Sequence, residues 1–95
     1  MTAGELIKEA RINKGFTLYV VAKHLGVSES TMSKIESNTR KLKVEDSRKL
    51  AQIIGVDANR IQSIYLTDSI IKEHGDNPYI IDALNRAITI IKQSK

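Results

Sequence analysis

The sequence predicts an all-α protein organised around two short helices joined by a tight turn. Apolar residues recur at helical spacing on both sides of Gly26, Ala22 is small where the two helices must approach each other, and Ser28 is placed to cap the second helix. A residue at such a turn often has a positive φ, which glycine adopts without a Cβ penalty. Residues 18–37 are therefore expected to fold as helix, turn and helix.

The helices of the first half of the chain have clear boundaries in the sequence. A first helix is expected over residues 4–14, and its apolar face is formed by Leu6, Ile7 and Ala10. The second helix begins after Thr17, a good N-cap. The third spans residues 29–37 and turns Met32 and Ile35 inward, so that its other side is left for binding.

Two further helices are expected to complete the body. The fourth covers residues 44–54, and the residues expected to face inward are Val44, Leu50, Ala51 and Ile54. The fifth is capped by Asp57 and runs to about His74. It carries two apolar stripes, one of Ile61, Ile64, Tyr65 and Ile71 and one of Leu66 and Ile70. A helix with two such stripes needs two neighbours, the body and a second element.

The tail is expected to form a sixth helix after the break at Gly75-Asp76-Asn77-Pro78. Asn77 would cap this helix, Pro78 would occupy its first position, and it would end near Gln93. Its apolar stripe is broad, so it either folds back on the fifth helix or forms a dimer interface with it, and the two interpretations are compatible. The expected interface residues are Leu66, Ile70, Ile81, Leu84, Ile88 and Ile91.

Length and charge point to a small binding protein. The 95 residues are expected to form one domain over residues 1–74 with a C-terminal helix over 75–95. There is no cysteine, no apolar run long enough to span a membrane and no signal peptide, so we expect a cytoplasmic protein. The net charge of +4 resides in residues 1–43, where eight basic side chains face four acidic ones. Such a surface suits a phosphate backbone.

These residues resemble the Cro and phage-repressor (XRE-type) helix-turn-helix family over residues 5–66. The residues that carry the resemblance are Arg11, Ala22, Gly26, Val27, Ser28, Ile35, Glu36, Leu50 and Ala51. Three positions depart from the family pattern: Leu18 replaces a glutamine, Asn38 a glycine and Leu42 a loop proline. The resemblance implies a five-helix, lambda-repressor-like DNA-binding domain, here with an additional C-terminal helix. The tail and the loop without proline are also similar to small regulators found beside restriction-modification genes.

The resemblance and the helix geometry together indicate which residues meet DNA. In the family, an arginine at the position of Arg11 pairs with the glutamate at the end of the recognition helix, here Glu36; otherwise these are two unrelated surface charges. The outward side chains expected at base edges are Glu29, Ser30, Ser33 and Lys34. Glu29 either accepts from a cytosine amino group or only complements the helix dipole, and Lys34 reaches either guanine or a phosphate.

The DNA backbone is expected to be contacted by residues before, within and after the recognition helix. These are Thr17, Tyr19, Ser28, Thr31, Asn38, Arg40, Lys41 and Lys43. Packing is the alternative for Tyr19, and a purely solubilising role is the alternative for the loop over residues 37–43. The position of Leu42 leaves the rigidity of that loop open.

Two classes of function remain. The first is a homodimeric repressor or controller that reads an inverted repeat, and the second is a protein-interaction module of the antitoxin or antagonist type. Catalysis is not expected, because His24 and His74 have no patterned nucleophile nearby and the five glycines all fall at expected element boundaries. We expect no metal, cofactor or small-molecule ligand.

Overall fold

The computed structural model describes residues 1–95 and consists of six α-helices without a strand. They are α1 (Ala3–Asn13), α2 (Leu18–Leu25), α3 (Glu29–Glu36), α4 (Val44–Ile54), α5 (Ala58–His74) and α6 (Ile80–Gln93). The predicted fold class, a five-helix helix-turn-helix domain with an additional C-terminal helix, is confirmed. None of these helices combines the length and apolar character that crossing a membrane requires.

The ends of the helices follow from local chemistry. Thr17 accepts a hydrogen bond from the Val20 N–H at the start of α2, and Ser28 accepts one from the Thr31 N–H at the start of α3. Gly26 ends α2 with φ 81°, the left-handed conformation that the turn requires. The helix-turn-helix unit is therefore closed by backbone and side-chain hydrogen bonds at both of its helix starts.

The first helix begins earlier than expected. Thr2 and Glu5 form a reciprocal capping box, in which each side chain accepts a hydrogen bond from the backbone N–H of the other residue. The same hydroxyl donates to the Glu5 carboxylate, and this hydrogen bond lowers the pKa of Glu5. Gly4, which was expected to open α1, lies inside it and is buried.

One apolar core joins the first five helices. It is formed by Leu6, Ile7, Val21, Ala22, Leu25, Met32, Ile35, Leu42, Leu50, Ile54 and Ile61. Val44 was expected to belong to it, but its side chain is 54% exposed. The inward face of α4 runs through Ser47, Leu50 and Ile54, and the first residue of the helix lies to one side of that face. The prediction for Val44 was wrong.

The second half of α5 extends beyond this core. Ile61 is fully buried, and Ile64 and Tyr65 pack against the core, but Ile71 is 62% exposed. The expectation that Ile71 continues the stripe that faces the core was wrong, because α5 extends beyond the helices that form the core. The radius of gyration is 15.1 Å, compared with about 12 Å for a compact chain of this length. The molecule therefore has an extended arm.

The arm ends in α6, which starts at Ile80 and not at Pro78. The Asn77 side chain accepts from the Tyr79 N–H at 2.9 Å, so it closes a turn before the helix instead of capping the helix itself. No residue of α6 is buried. Only Ile80 and Leu84 are half-buried, so α6 does not pack along α5 and presents an apolar face to solvent.

Candidate nucleic-acid interface

The recognition-helix candidate α3 is held by its inner face and exposed on its outer one. Met32 is fully buried and Ile35 is 4% exposed. The side chains expected at base edges are all exposed: Glu29, Ser30, Ser33 and Lys34. Ser37 is exposed as well and continues the serine face at helical spacing, although our sequence reasoning did not single it out. The outer face of α3 therefore carries three small hydroxyls beside one cation and one anion.

Two residues that were expected to contact the DNA backbone form hydrogen bonds with each other at the start of α3. Ser28 Oγ donates to Thr31 Oγ1 at 3.0 Å and accepts from the Thr31 N–H at 3.0 Å. Ser28 is exposed and Thr31 is half-buried. These hydroxyls thus fix the first turn of α3, and the hydroxyl proton of the pair that stays free for an acceptor is that of Thr31.

An aromatic side chain stands beside a cation on α2. Tyr19 is 56% exposed, so it does not take the packing role that was its alternative. The Nζ atom of Lys23 lies 6.0 Å from the centroid of its ring, within the range of a cation–π contact. Lys23 was not among the residues expected at DNA, although its spacing of four residues from Tyr19 on one helix indicates that the two side chains are neighbours. Together with Thr17 at the N-cap, this pair forms a polar edge on the helix-turn-helix unit.

A bidentate ion pair fixes α1 to the end of α3. Arg11 Nε donates to Glu36 Oε2 at 2.7 Å, and Arg11 Nη2 donates to Glu36 Oε1 at 3.1 Å. The side chains are only 11% and 7% exposed. The hydrogen bonds to Glu36 raise the pKa of Arg11, while burial opposes that rise. Arg11 Nη1 also donates to the Phe16 carbonyl at 2.9 Å, so one guanidinium joins three segments.

A second contact joins α1 to the residue that follows α3. Asn38 has φ 63°, and its Oδ1 accepts from the Gly4 N–H at 2.9 Å. Its Nδ2 donates to Thr2 Oγ1 at 2.9 Å. Asn38 is exposed, but the side chain that was expected at a phosphate makes two intramolecular hydrogen bonds. One of them satisfies an N–H group in the first turn of α1 that has no partner within the helix.

Gly4 permits this approach because it has no side chain. A Cβ atom built on Gly4 would lie 2.7 Å from Asn38 Oδ1 and still closer to the carbonyl oxygen of Glu36. Gly4 was expected only as a helix boundary, but it lies at the second position of α1 and is needed for this close approach. Its role requires the tertiary contact between α1 and α3, which no local pattern in the sequence indicates.

We expect Gly4→Ala to lower the free energy of unfolding by roughly 1–3 kcal/mol, because the added methyl group meets backbone that cannot easily move. Helix propensity alone predicts the opposite sign, a gain of about 1 kcal/mol. Denaturant unfolding followed by circular dichroism decides between the two. Glu9→Ala on the exposed side of α1 is the control, with an expected change below about 0.5 kcal/mol. Stabilisation by Gly4→Ala would show that α1 does not approach α3 this closely.

The loop after α3 carries the densest positive charge. We call residues 38–43 the basic loop; Arg40, Lys41 and Lys43 are exposed in it, whereas Leu42 is 4% exposed and belongs to the core. None of these three cations, nor Lys34, has a carboxylate within 4.0 Å. Unpaired cations next to the exposed face of α3 are suited to a polyanion.

No three His, Asp or Glu side chains converge where a metal ion would bind. The candidate site therefore consists of α3, the polar edge of α2 and the basic loop. All three belong to the part of the chain that precedes α4. The helix α6 lies outside this site, whereas α5 borders it: Tyr65, Leu66, Ser69 and Glu73 line a cavity together with residues 38–41.

Comparison with known proteins agrees with this geometry. The family described as "Helix-turn-helix domain" matches residues 4–66, which is more than half of the chain. A solved structure of a SinR protein/SinI protein complex is similar with a TM-score of 0.58 and 17% identity, covering 99% of this chain and 100% of that chain. At this identity the likeness shows the fold. No curated protein matches the chain significantly. The chain therefore belongs to the helix-turn-helix domain family, and its domain and fold support a DNA-binding regulator.

Proposed function

We propose that the protein is a sequence-specific transcriptional regulator, a homodimeric repressor or controller of a nearby operon that reads an inverted repeat. The outer face of α3 is the observation that carries this proposal. It is rigidly mounted by Met32 and Ile35, capped by Ser28, and exposed over its whole length. A helix of this kind inserts its N-terminal residues into the major groove.

The side chains on the outer face of α3 differ in chemistry, and each is expected to make a different contact with the base edges. Ser30 and Ser33 are short donors and acceptors that fit several bases, and Lys34 is the side chain that reaches guanine O6 and N7. Glu29 accepts from a cytosine amino group or serves the helix dipole. The basic loop, with Arg40, Lys41 and Lys43, supplies phosphate contacts that fix the register of α3 on the duplex.

Replacing Lys34 with alanine is expected to cost roughly 1–3 kcal/mol of binding free energy on the preferred site and to relax one base position. Binding to a panel of single-base operator variants measures both effects. Lys49→Ala is the control, because Lys49 is also an exposed helical lysine but lies on α4. An equal loss of affinity on every sequence would assign Lys34 to a phosphate instead.

The dimer is supported by the arm. Ile81, Ile88 and Ile91 on α6 are 68%, 49% and 55% exposed, and Leu66 on α5 is 53% exposed. A small domain rarely leaves a contiguous apolar surface of this kind in water unless it binds another protein. An inverted repeat requires two copies of α3 about 34 Å apart, one turn of DNA, and a two-fold pairing through such surfaces supplies the symmetry that this arrangement needs.

A second function has one specific observation in its favour. The similar solved structure is a complex of two different proteins, and the arm of this chain is the surface left open to a partner. In that alternative the chain is a protein-interaction module of the antitoxin or antagonist type, and the helix-turn-helix serves as its scaffold. A chain that stays monomeric and has no preferred DNA site would favour it.

Selection of the purified chain against a random duplex library at physiological salt tests the proposal. We expect enrichment of an inverted repeat whose half-sites are about 10 base pairs apart, centre to centre. Binding that vanishes as salt rises, with no enriched sequence, would contradict sequence-specific reading. The search would then turn to protein partners of the arm.

A further inference from the structure

Gln62 on α5 is the side chain that ties the basic loop to the rest of the molecule. Its Nε2 donates to the Leu42 carbonyl at 3.0 Å and to Ser47 Oγ at 2.9 Å. Ser47 is fully buried and Leu42 is 4% exposed, so both acceptors lie away from water. One neutral amide thus joins the end of the loop, the start of α4 and α5.

The loop has few other restraints. No backbone–backbone hydrogen bond involves Arg40, Lys41 or Leu42. The loop also lacks the proline that would stiffen it, since Leu42 stands there. The path of the backbone through these residues is therefore fixed by the burial of the Leu42 side chain and by the hydrogen bond from Gln62 to its carbonyl. At its other end the loop is held by Asn38, whose side chain forms hydrogen bonds with Thr2 and Gly4 at the start of α1.

A neutral donor suits this position. A carboxylate at residue 62 would not donate to the Leu42 carbonyl and would attract Arg40 and Lys41 away from a DNA phosphate. The amide satisfies two buried acceptors and leaves the loop cations unpaired.

We infer that Gln62 is a positioning residue for DNA backbone binding: by holding the Leu42 carbonyl, it presents Arg40 and Lys41 together to the phosphates. This inference rests on the proposed DNA-binding function. Because Gln62 lies on the helix that leads into the arm, it also fixes the loop relative to α5. Gln62 itself does not contact DNA.

The test is the salt dependence of DNA binding by Gln62→Leu. We expect the slope of log K against log salt to become shallower by about 1–2 units, because the loop cations no longer meet phosphates together. Preference among base sequences should remain, since α3 is unchanged. A merely structural role would lower the melting temperature and leave the slope of the folded protein unaltered. Gln52→Leu, an exposed glutamine of α4 without a hydrogen bond, is the matched control.

A double-mutant cycle separates this inference from the proposed function. Arg40→Ala with Lys41→Ala should flatten the slope by about 2 units in the wild-type chain and by clearly less in the Gln62→Leu chain. If the loop substitutions flatten the slope and Gln62→Leu does not, the positioning role is overturned and the backbone contacts stand. If the loop substitutions have no effect on a chain that binds DNA, the loop contacts and the positioning role are overturned and the proposed function stands. If the wild-type chain does not bind DNA, the proposed function is overturned as well.

The variant Gln62→Leu with Ser47→Ala covers the case in which Gln62→Leu alone does not fold. Replacing donor and acceptor together with apolar groups removes the buried Ser47 hydroxyl that would otherwise lack its partner. The hydrogen bond from residue 62 to the Leu42 carbonyl is still lost. A slope equal to that of the wild-type chain in this folded variant would overturn the inference, and a shallower slope would support it.

Discussion

Replacing Glu36 with alanine is expected to lower the free energy of unfolding by about 3–5 kcal/mol, the usual cost of breaking a buried ion pair from one side. The Arg11 side chain is only 11% exposed, and the substitution removes its bidentate acceptor. Only the bond from Nη1 to the Phe16 carbonyl remains. For a chain of this size the melting temperature should fall by more than about 10 °C, which thermal unfolding measures directly.

Two comparison variants make this result interpretable. Glu45→Ala breaks an exposed pair with Lys49, whose side chain is 51% exposed, and should change stability by less than about 1 kcal/mol. Arg11→Met combined with Glu36→Leu removes both charges and should recover much of the lost stability. If Glu36→Ala behaves like Glu45→Ala, the Arg11–Glu36 pair is not buried in solution.

The helices themselves were largely predictable because their signals are local. The repeat of apolar residues with a period of 3.6 placed Met32 and Ile35 on the buried face of α3. It therefore placed Ser30 and Lys34 on the exposed face, without any information on the neighbouring helices. Gly26 marked the turn for an equally local reason. The basic loop was predictable from its composition.

Contacts between distant segments were not predictable in this way. Gly4 and Asn38 are 34 positions apart, and Gln62 and Leu42 are 20 positions apart. Nothing in the spacing of these residues indicates that they meet. Similarly, the stripe on α5 gives the same periodicity at Ile61 and Ile71, but only the packed body determines where burial stops.

Placing a charge on the apolar face of α6 should dissociate the dimer and weaken binding to a complete inverted repeat by about 10²–10⁴-fold, because two linked half-site contacts become one. Ile88→Asp is the substitution of choice, since Ile88 is 49% exposed and its loss costs the single chain little. Sedimentation equilibrium gives the oligomeric state, and titration of a two-half-site duplex and a single half-site gives the affinities. The single half-site should be bound equally by both proteins.

Thr89→Asp is the matched control, because it adds the same charge one residue away on the polar side of α6. It should leave both the dimer and the operator affinity intact. Leu84→Asp reports on the other possibility, because Leu84 is one of two half-buried residues of α6 and its loss should reduce thermal stability if the tail acts within its own chain. A wild-type chain that sediments as a monomer, or an Ile88→Asp chain that remains a dimer, would contradict pairing through α6. An intact wild-type monomer with its arm exposed would direct attention to the second function, a partner of different sequence that covers α6.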